Sequence, residues 1–170
     1  FASGVMELKD KLGPINWQFA PTKKFDAADF EAFLKLLPRS VEGRAVRHAV
    51  EVRHESFATP EFAAMLREHE VAIVTAGDSK YPQIADATAS FIYARIMGTE
   101  EKTKTGYTPA ALGNWVKRAQ AWAAGSVPAD LSTVAKPLPA RSGRDVFLYV
   151  ISGFKEKNPA AAMALIERVG

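Results

Sequence analysis

Glu51 and Arg53 stand two apart in the run Ala49-Val50-Glu51-Val52-Arg53. An extended chain turns alternate side chains to one side, which puts these two roughly 7 Å from each other. A carboxylate and a guanidinium so placed suit an acid or base beside an anion clamp, because one exchanges protons and the other offers a fork of donors. They suit a structural ion pair equally well. Arg95, inside the apolar run Phe91 to Met97, brings a second guanidinium that either opposes Glu51 or holds a phosphate or carboxylate. Gln18 is the polar candidate within Ile15 to Phe19, with its neighbour Trp17 turned the other way. Asp78, Lys80 and Tyr81 follow an apolar run: a base, an anion contact and a stacking surface, or simply a turn whose aspartate bonds its own backbone. Tyr93 and Tyr149 offer hydroxyls or act as filler between layers. His54 directly follows Arg53 and serves either proton transfer or a strand cap. His48 and His69 are expected at the surface. Three histidines without paired spacing and no cysteine assemble no zinc motif. Magnesium held by Asp78 or Glu51 through water stays open, and no cofactor is specified.

The elements that must position these groups alternate along the chain. Short extended runs at Ile15–Phe19, Ala49–Arg53, Val71–Thr75, Phe91–Met97 and Asp145–Ile151 are separated by helical periodicity. Helices are expected over Asp26–Leu37, after Thr59-Pro60, from Thr108-Pro109 to near Gly125, and over Pro159–Val169. Two of these open on a threonine cap with proline in the first turn. The proline-bearing stretch from Ser126 to Gly143 reads as an irregular connection. Strict strand–helix alternation argues for parallel pairing and an α/β class. One face of three strands carries polar groups: Asn16 and Gln18, Glu51 and Arg53, Tyr93 and Arg95. A dry, two-sided sheet does not explain this, whereas the interior of a TIM-type barrel near its C-terminal end does.

The 170 residues are 48% apolar and 24% charged, which fits one ordinary globular domain. No stretch reaches the length of a spanning helix and no leader is visible, so the cytoplasm is the expected location and no membrane partner is expected. Residues 1–85 carry 11 basic and 12 acidic side chains and residues 86–170 carry 11 and 7. That bias permits anion binding without the dense basic face of most nucleic-acid domains.

The motifs in order are Leu12-Gly13-Pro14-Ile15 to Pro21 around Gln18, Glu51-Val52-Arg53-His54-Glu55-Ser56, Asp78-Ser79-Lys80-Tyr81-Pro82, and Phe91-Ile92-Tyr93-Ala94-Arg95 before Gly98. Together they resemble the YecE-like proteins, a TIM-barrel family of unknown function, over nearly the whole chain. The resemblance implies that residues 1–170 are one domain corresponding to strands four to eight. The first three strand–helix units would be missing before Phe1, and the length agrees, since a whole barrel takes about 200 residues or more. The chain departs from the family pattern at Met97, at Ile151 and at Ala161, where polar groups are common.

Three function classes follow. The first is an enzyme acting on a small polar or phosphorylated substrate at the C-terminal barrel face, with Glu51 and Asp78 as catalytic groups. Gln18, Arg53, His54, Lys80, Tyr81, Tyr93, Arg95 and Tyr149 would then bind substrate. The second is a nucleic-acid-binding or processing protein, by analogy to barrel endonucleases. The third is a noncatalytic module for an anionic or sugar-like ligand. Exposed strand edges call for cover by a missing segment or by self-association.

Overall fold

Alternation in the five apolar runs builds one sheet with two unlike faces. The computed structural model describes residues 2–139 and 143–170. Its strands are β1 (Ile15–Gln18), β2 (Ser40–Val41), β3 (Arg44–Ala45), β4 (His48–Glu51), β5 (Ala72–Gly77), β6 (Phe91–Ile96) and β7 (Asp145–Val150). Five of them form a sheet in the order β1-β4-β5-β6-β7. Every neighbouring pair in it is parallel, with Gln18 beside Glu51, Ala76 beside Arg95 and Arg95 beside Tyr149. The fold is therefore α/β with a five-stranded parallel sheet, as the alternation of elements requires.

The helices are α1 (Ala2–Val5), α2 (Ala27–Lys35), α3 (Pro60–Glu68), α4 (Pro109–Ala123) and α5 (Asn158–Val169). Asp26, Thr59 and Thr108 cap α2, α3 and α4 by accepting backbone N–H groups three residues on, which satisfies donors that a helix start leaves open. The helices cover one face of the sheet. Under α2 and α3, Val50, Val52 and Ile73 pack with Phe30, Phe57, Phe62 and Leu66. Under α4 and α5, Ile92, Ala94 and Ile96 pack with Leu112, Trp115 and Leu165. Gly77 closes β5 because the Trp115 ring lies against its backbone: a Cβ there would stand 2.2 Å from the indole. Ser126 to Pro139 forms no helix or strand, as expected, and it is held by buried Asp86, which accepts from the backbone N–H groups of Val134 and Ala135. The expected connection also includes residues 140–142, which lie outside the described residues.

The opposite face carries Ala49, Ala72, Val74, Phe91, Tyr93 and the partly buried Phe147. It is concave. In a flat sheet β1 and β7 would be about 19 Å apart, four strand spacings. Yet a Cβ built on Gly13, just ahead of β1, would stand 4.0 Å from both the Phe147 ring and the Tyr149 hydroxyl. Arg47, ahead of β4, likewise reaches Asp145 at the start of β7, at 2.7 Å. The described residues form this curled open sheet rather than a closed cylinder, and among them no strand pairs with the outer edge of β1 or β7.

Two features had no sequence expectation. Residues 2–11 form a short helix and a 3-10 segment, and β2 and β3 form a hairpin turning at Glu42 and Gly43, both with positive φ. Two-residue strands are too short to show a period. His48 corrects the surface expectation: it is 5% exposed on β4 beneath α2, where Nδ1 lies 3.1 Å from the Trp17 indole N–H and Nε2 lies 2.8 Å from the Pro38 carbonyl. A neutral ring with its proton on Nε2 satisfies both.

Candidate functional site

At the C-terminal end of the concave face, side chains from the ends of β1, β4 and β6 and from Arg53 just beyond β4 converge on one carboxylate. Glu51 is fully buried. Its Oε1 accepts from Arg53 Nε at 2.9 Å and pairs with Nη2 at 2.8 Å, and its Oε2 accepts from Arg95 Nη1. Gln18 Oε1 bridges the same two guanidiniums, accepting from Arg53 Nη2 at 2.7 Å and Arg95 Nη1 at 3.0 Å. Strand register explains the meeting: Gln18 is paired with Glu51, and alternation turns both, with Arg53, away from the helices. Arg95 comes from two strands away and reaches across the trough.

Aromatic rings border the cluster. The Arg53 guanidinium lies 4.4 Å from the Tyr81 ring centroid, and Lys80 Nζ lies 5.8 Å from it on the same loop. On the β7 side the Tyr93 and Tyr149 rings stack, centroids 5.1 Å apart and tilted by 30°. Burial is the main cause that pushes the Tyr93 hydroxyl above its usual value of 10.0, with the neighbouring Tyr149 adding to it; Arg95 pulls the other way and Glu51 supports the rise. Of the expected site residues, Gln18, Glu51, Arg53, Arg95, Tyr93 and Tyr149 thus gather at one place, with Tyr81 and Lys80 at its rim.

The electrostatics leave a surplus. Two guanidiniums face one carboxylate, giving the cluster a charge of +1. Arg53 Nη1 and Arg95 Nη2 and Nε have no hydrogen-bond partner among the described residues. Both Glu51 oxygens, by contrast, are occupied.

Asp78 and His54 are placed elsewhere. Asp78 takes a left-handed backbone, φ 51°, just after Gly77, and this turns its carboxylate toward α4. There Oδ2 accepts from Trp115 Nε1 at 2.7 Å, while the nearby Tyr107 hydroxyl accepts from the Gly98 N–H at 2.7 Å. Burial raises the Tyr107 hydroxyl well above its ordinary range. Asp78 thus ties the loop after β5 to α4, on the wall of a separate cavity of about 390 Å3 with Glu100, Asn114 and Arg118. The His54 ring caps the 3-10 turn at Glu55–Phe57, its Nδ1 accepting from the Ser56 N–H at 3.1 Å.

Sequence reasoning missed Asp86, whose carboxylate also receives Arg67 Nη2 at 3.3 Å, and missed Trp115 as the partner of Asp78. No spacing signals these, since the loops that carry Asp78 and Asp86 set where each carboxylate points. Among the described residues no three His, Asp or Glu side chains gather as a metal site, and no helix is long and apolar enough to cross a membrane.

The family model for "Protein of unknown function DUF72" matches residues 1–170. A crystal structure of a DUF72 family protein from Enterococcus faecalis V583 superposes with a TM-score of 0.68 at 14% identity, over 99% of this chain and 64% of that one. One from Thermotoga maritima MSB8 gives 0.64 at 18% identity, over 96% and 59%. The chain therefore spans about three fifths of the length of these structures. No curated protein matches it.

Proposed function

Because the chain belongs to the DUF72 family of proteins of unknown function, we propose that it forms part of a TIM-type barrel enzyme. The enzyme binds a small anionic substrate at the C-terminal ends of β1, β4 and β6. Five of eight strand–helix units would make about 63% of a barrel, close to the 64% and 59% of the two solved structures that the chain covers. The curl that brings Gly13 toward Phe147 and Tyr149 supports the same reading, as does a polar concave face backed by an apolar helix-covered one. In this reading residues 1–170 are one domain, the C-terminal portion of the barrel.

The observation that carries the functional reading is the surplus guanidinium. Two arginines held by one buried carboxylate and one bridging amide are fixed in place with outward donors unused. A preorganised fork of this kind binds a carboxylate or phosphate oxygen without ordering a long side chain at the moment of binding. Arg95 and Arg53 clamp the anion, Gln18 holds their spacing and Tyr81 backs Arg53. Glu51 is the buried counter-charge that keeps both guanidiniums in place. Lys80, exposed on the loop, draws anions in.

Calorimetric titration of acetate and inorganic phosphate at low salt tests this. Binding by the wild-type protein, lost in Arg95→Gln, is the expected result. Absence of binding to the wild type, or equal binding by the variant, overturns it.

A further inference from the structure

We propose that the ligand carries its oxyanion directly on a planar ring and that Tyr149 is the platform on which this ring lies. The inference rests on the anion reading above and adds the substrate's shape to it. Tyr149 is 42% exposed, although it stands in a six-residue strand on the concave face. One side of its ring rests on Tyr93, whose own exposure is only 8%, so the pair forms a fixed step rather than a free side chain. Tyr149 is also the register partner of Arg95, so the two side chains leave adjacent strands on the same face, about 4.8 Å apart at the backbone.

The unused Arg95 Nη2 and Nε are therefore neighbours of an open aromatic surface. An oxyanion bound there brings whatever it is attached to against Tyr149. A short aliphatic tail leaves that surface wet, whereas a planar ring covers it and gains the stacking that aromatic faces favour. Tyr81 is a poorer platform because Arg53 already occupies it. The cluster charge of +1 is matched by one negative charge, which a carboxylate or a singly ionised phosphate supplies.

Two pairs of probes decide the matter: acetate against benzoate, and methyl phosphate against phenyl phosphate, each titrated into the wild-type protein and into Tyr149→Ala and Tyr149→Phe. The ring-bearing probe of the better pair should bind about tenfold tighter than its methyl counterpart, the worth of one stacked ring. That ratio should fall to near one in Tyr149→Ala and return in Tyr149→Phe, which keeps the ring and loses only the hydroxyl. The pair that binds tighter identifies the anion as carboxylate or phosphate. Equal affinity for ring and methyl probes that do bind overturns this inference and leaves the anion site standing. Failure of all four to bind overturns both. A ratio unchanged in Tyr149→Ala overturns Tyr149 as the platform, and should that variant not fold, Tyr149→Leu, which keeps the bulk and loses the aromatic face, takes its place with the same expectation.

Discussion

Both ends of the concave face hold an arginine–carboxylate pair, and the pairs differ in almost everything else. At the N-terminal end, Arg47 and Asp145 meet at 2.7 Å with side chains 38% and 68% exposed, and the Arg47 guanidinium also lies 4.7 Å from the Phe147 ring centroid. At the C-terminal end, Glu51 is fully buried and receives two guanidiniums. Between them lies an apolar layer of Ala49, Ala72, Val74, Phe91 and Tyr93. The lower pair has water to fall back on, so its loss costs little. The upper carboxylate has only its partners, and the partners exceed it in charge. A stabilising pair needs no surplus; the anion site proposed above would use one.

Removing Glu51 should separate the two ends most sharply. Glu51→Ala leaves two guanidiniums without their buried counter-charge, and the expected loss is about 3–5 kcal/mol in a urea melt. On a thermal scan this corresponds to roughly 10 °C for a chain of this size. An effect below about 1 kcal/mol would place the upper pair in the same class as the lower.

Arg95→Gln should come next, at about 1.5–3 kcal/mol, the worth of a hydrogen bond to a charged group, because Arg53 remains on Glu51. A double-mutant cycle on Arg47 and Asp145 should give about 0.2–1 kcal/mol, falling further in 1 M salt. The cycle on Glu51 and Arg95 should exceed it and resist salt. Equal coupling energies would erase the contrast.

The smallest effect concerns alkali. The folded state raises the Tyr93 hydroxyl above 10.0. Its contribution to stability is therefore complete below that value and is lost as pH rises through the folded pKa. Denaturation midpoints should decline above about pH 10, and Tyr93→Phe should decline less. Parallel slopes for the two proteins would remove Tyr93 as the cause.

How much of this was legible in the sequence depended on whether a residue sat in a strand or in a loop. Period-two alternation alone places Gln18, Glu51, Arg53, Tyr93 and Arg95 on one face, because a strand leaves a side chain only two directions. Caps at Thr59 and Thr108 were legible for a similar reason, since threonine followed by proline fits few other places. Asp78 was not. Its direction follows from a single positive φ after Gly77, and a left-handed residue turns its carboxylate toward Trp115 instead of the trough. His48 was misjudged because the hydrogen bonds that make a buried imidazole tolerable come from Trp17 and Pro38, far along the chain.

The bridge from Gln18 to Arg95 spans 77 residues of chain. Contacts of such separation form late, after the loops between them have been closed. A chain still missing β6 has no second guanidinium, and one with β1 undocked has no amide to align the two. On the anion reading proposed above, affinity would be a readout of completed assembly: half-made molecules would not compete for the ligand, and the ligand, by binding finished ones, would draw the population toward them.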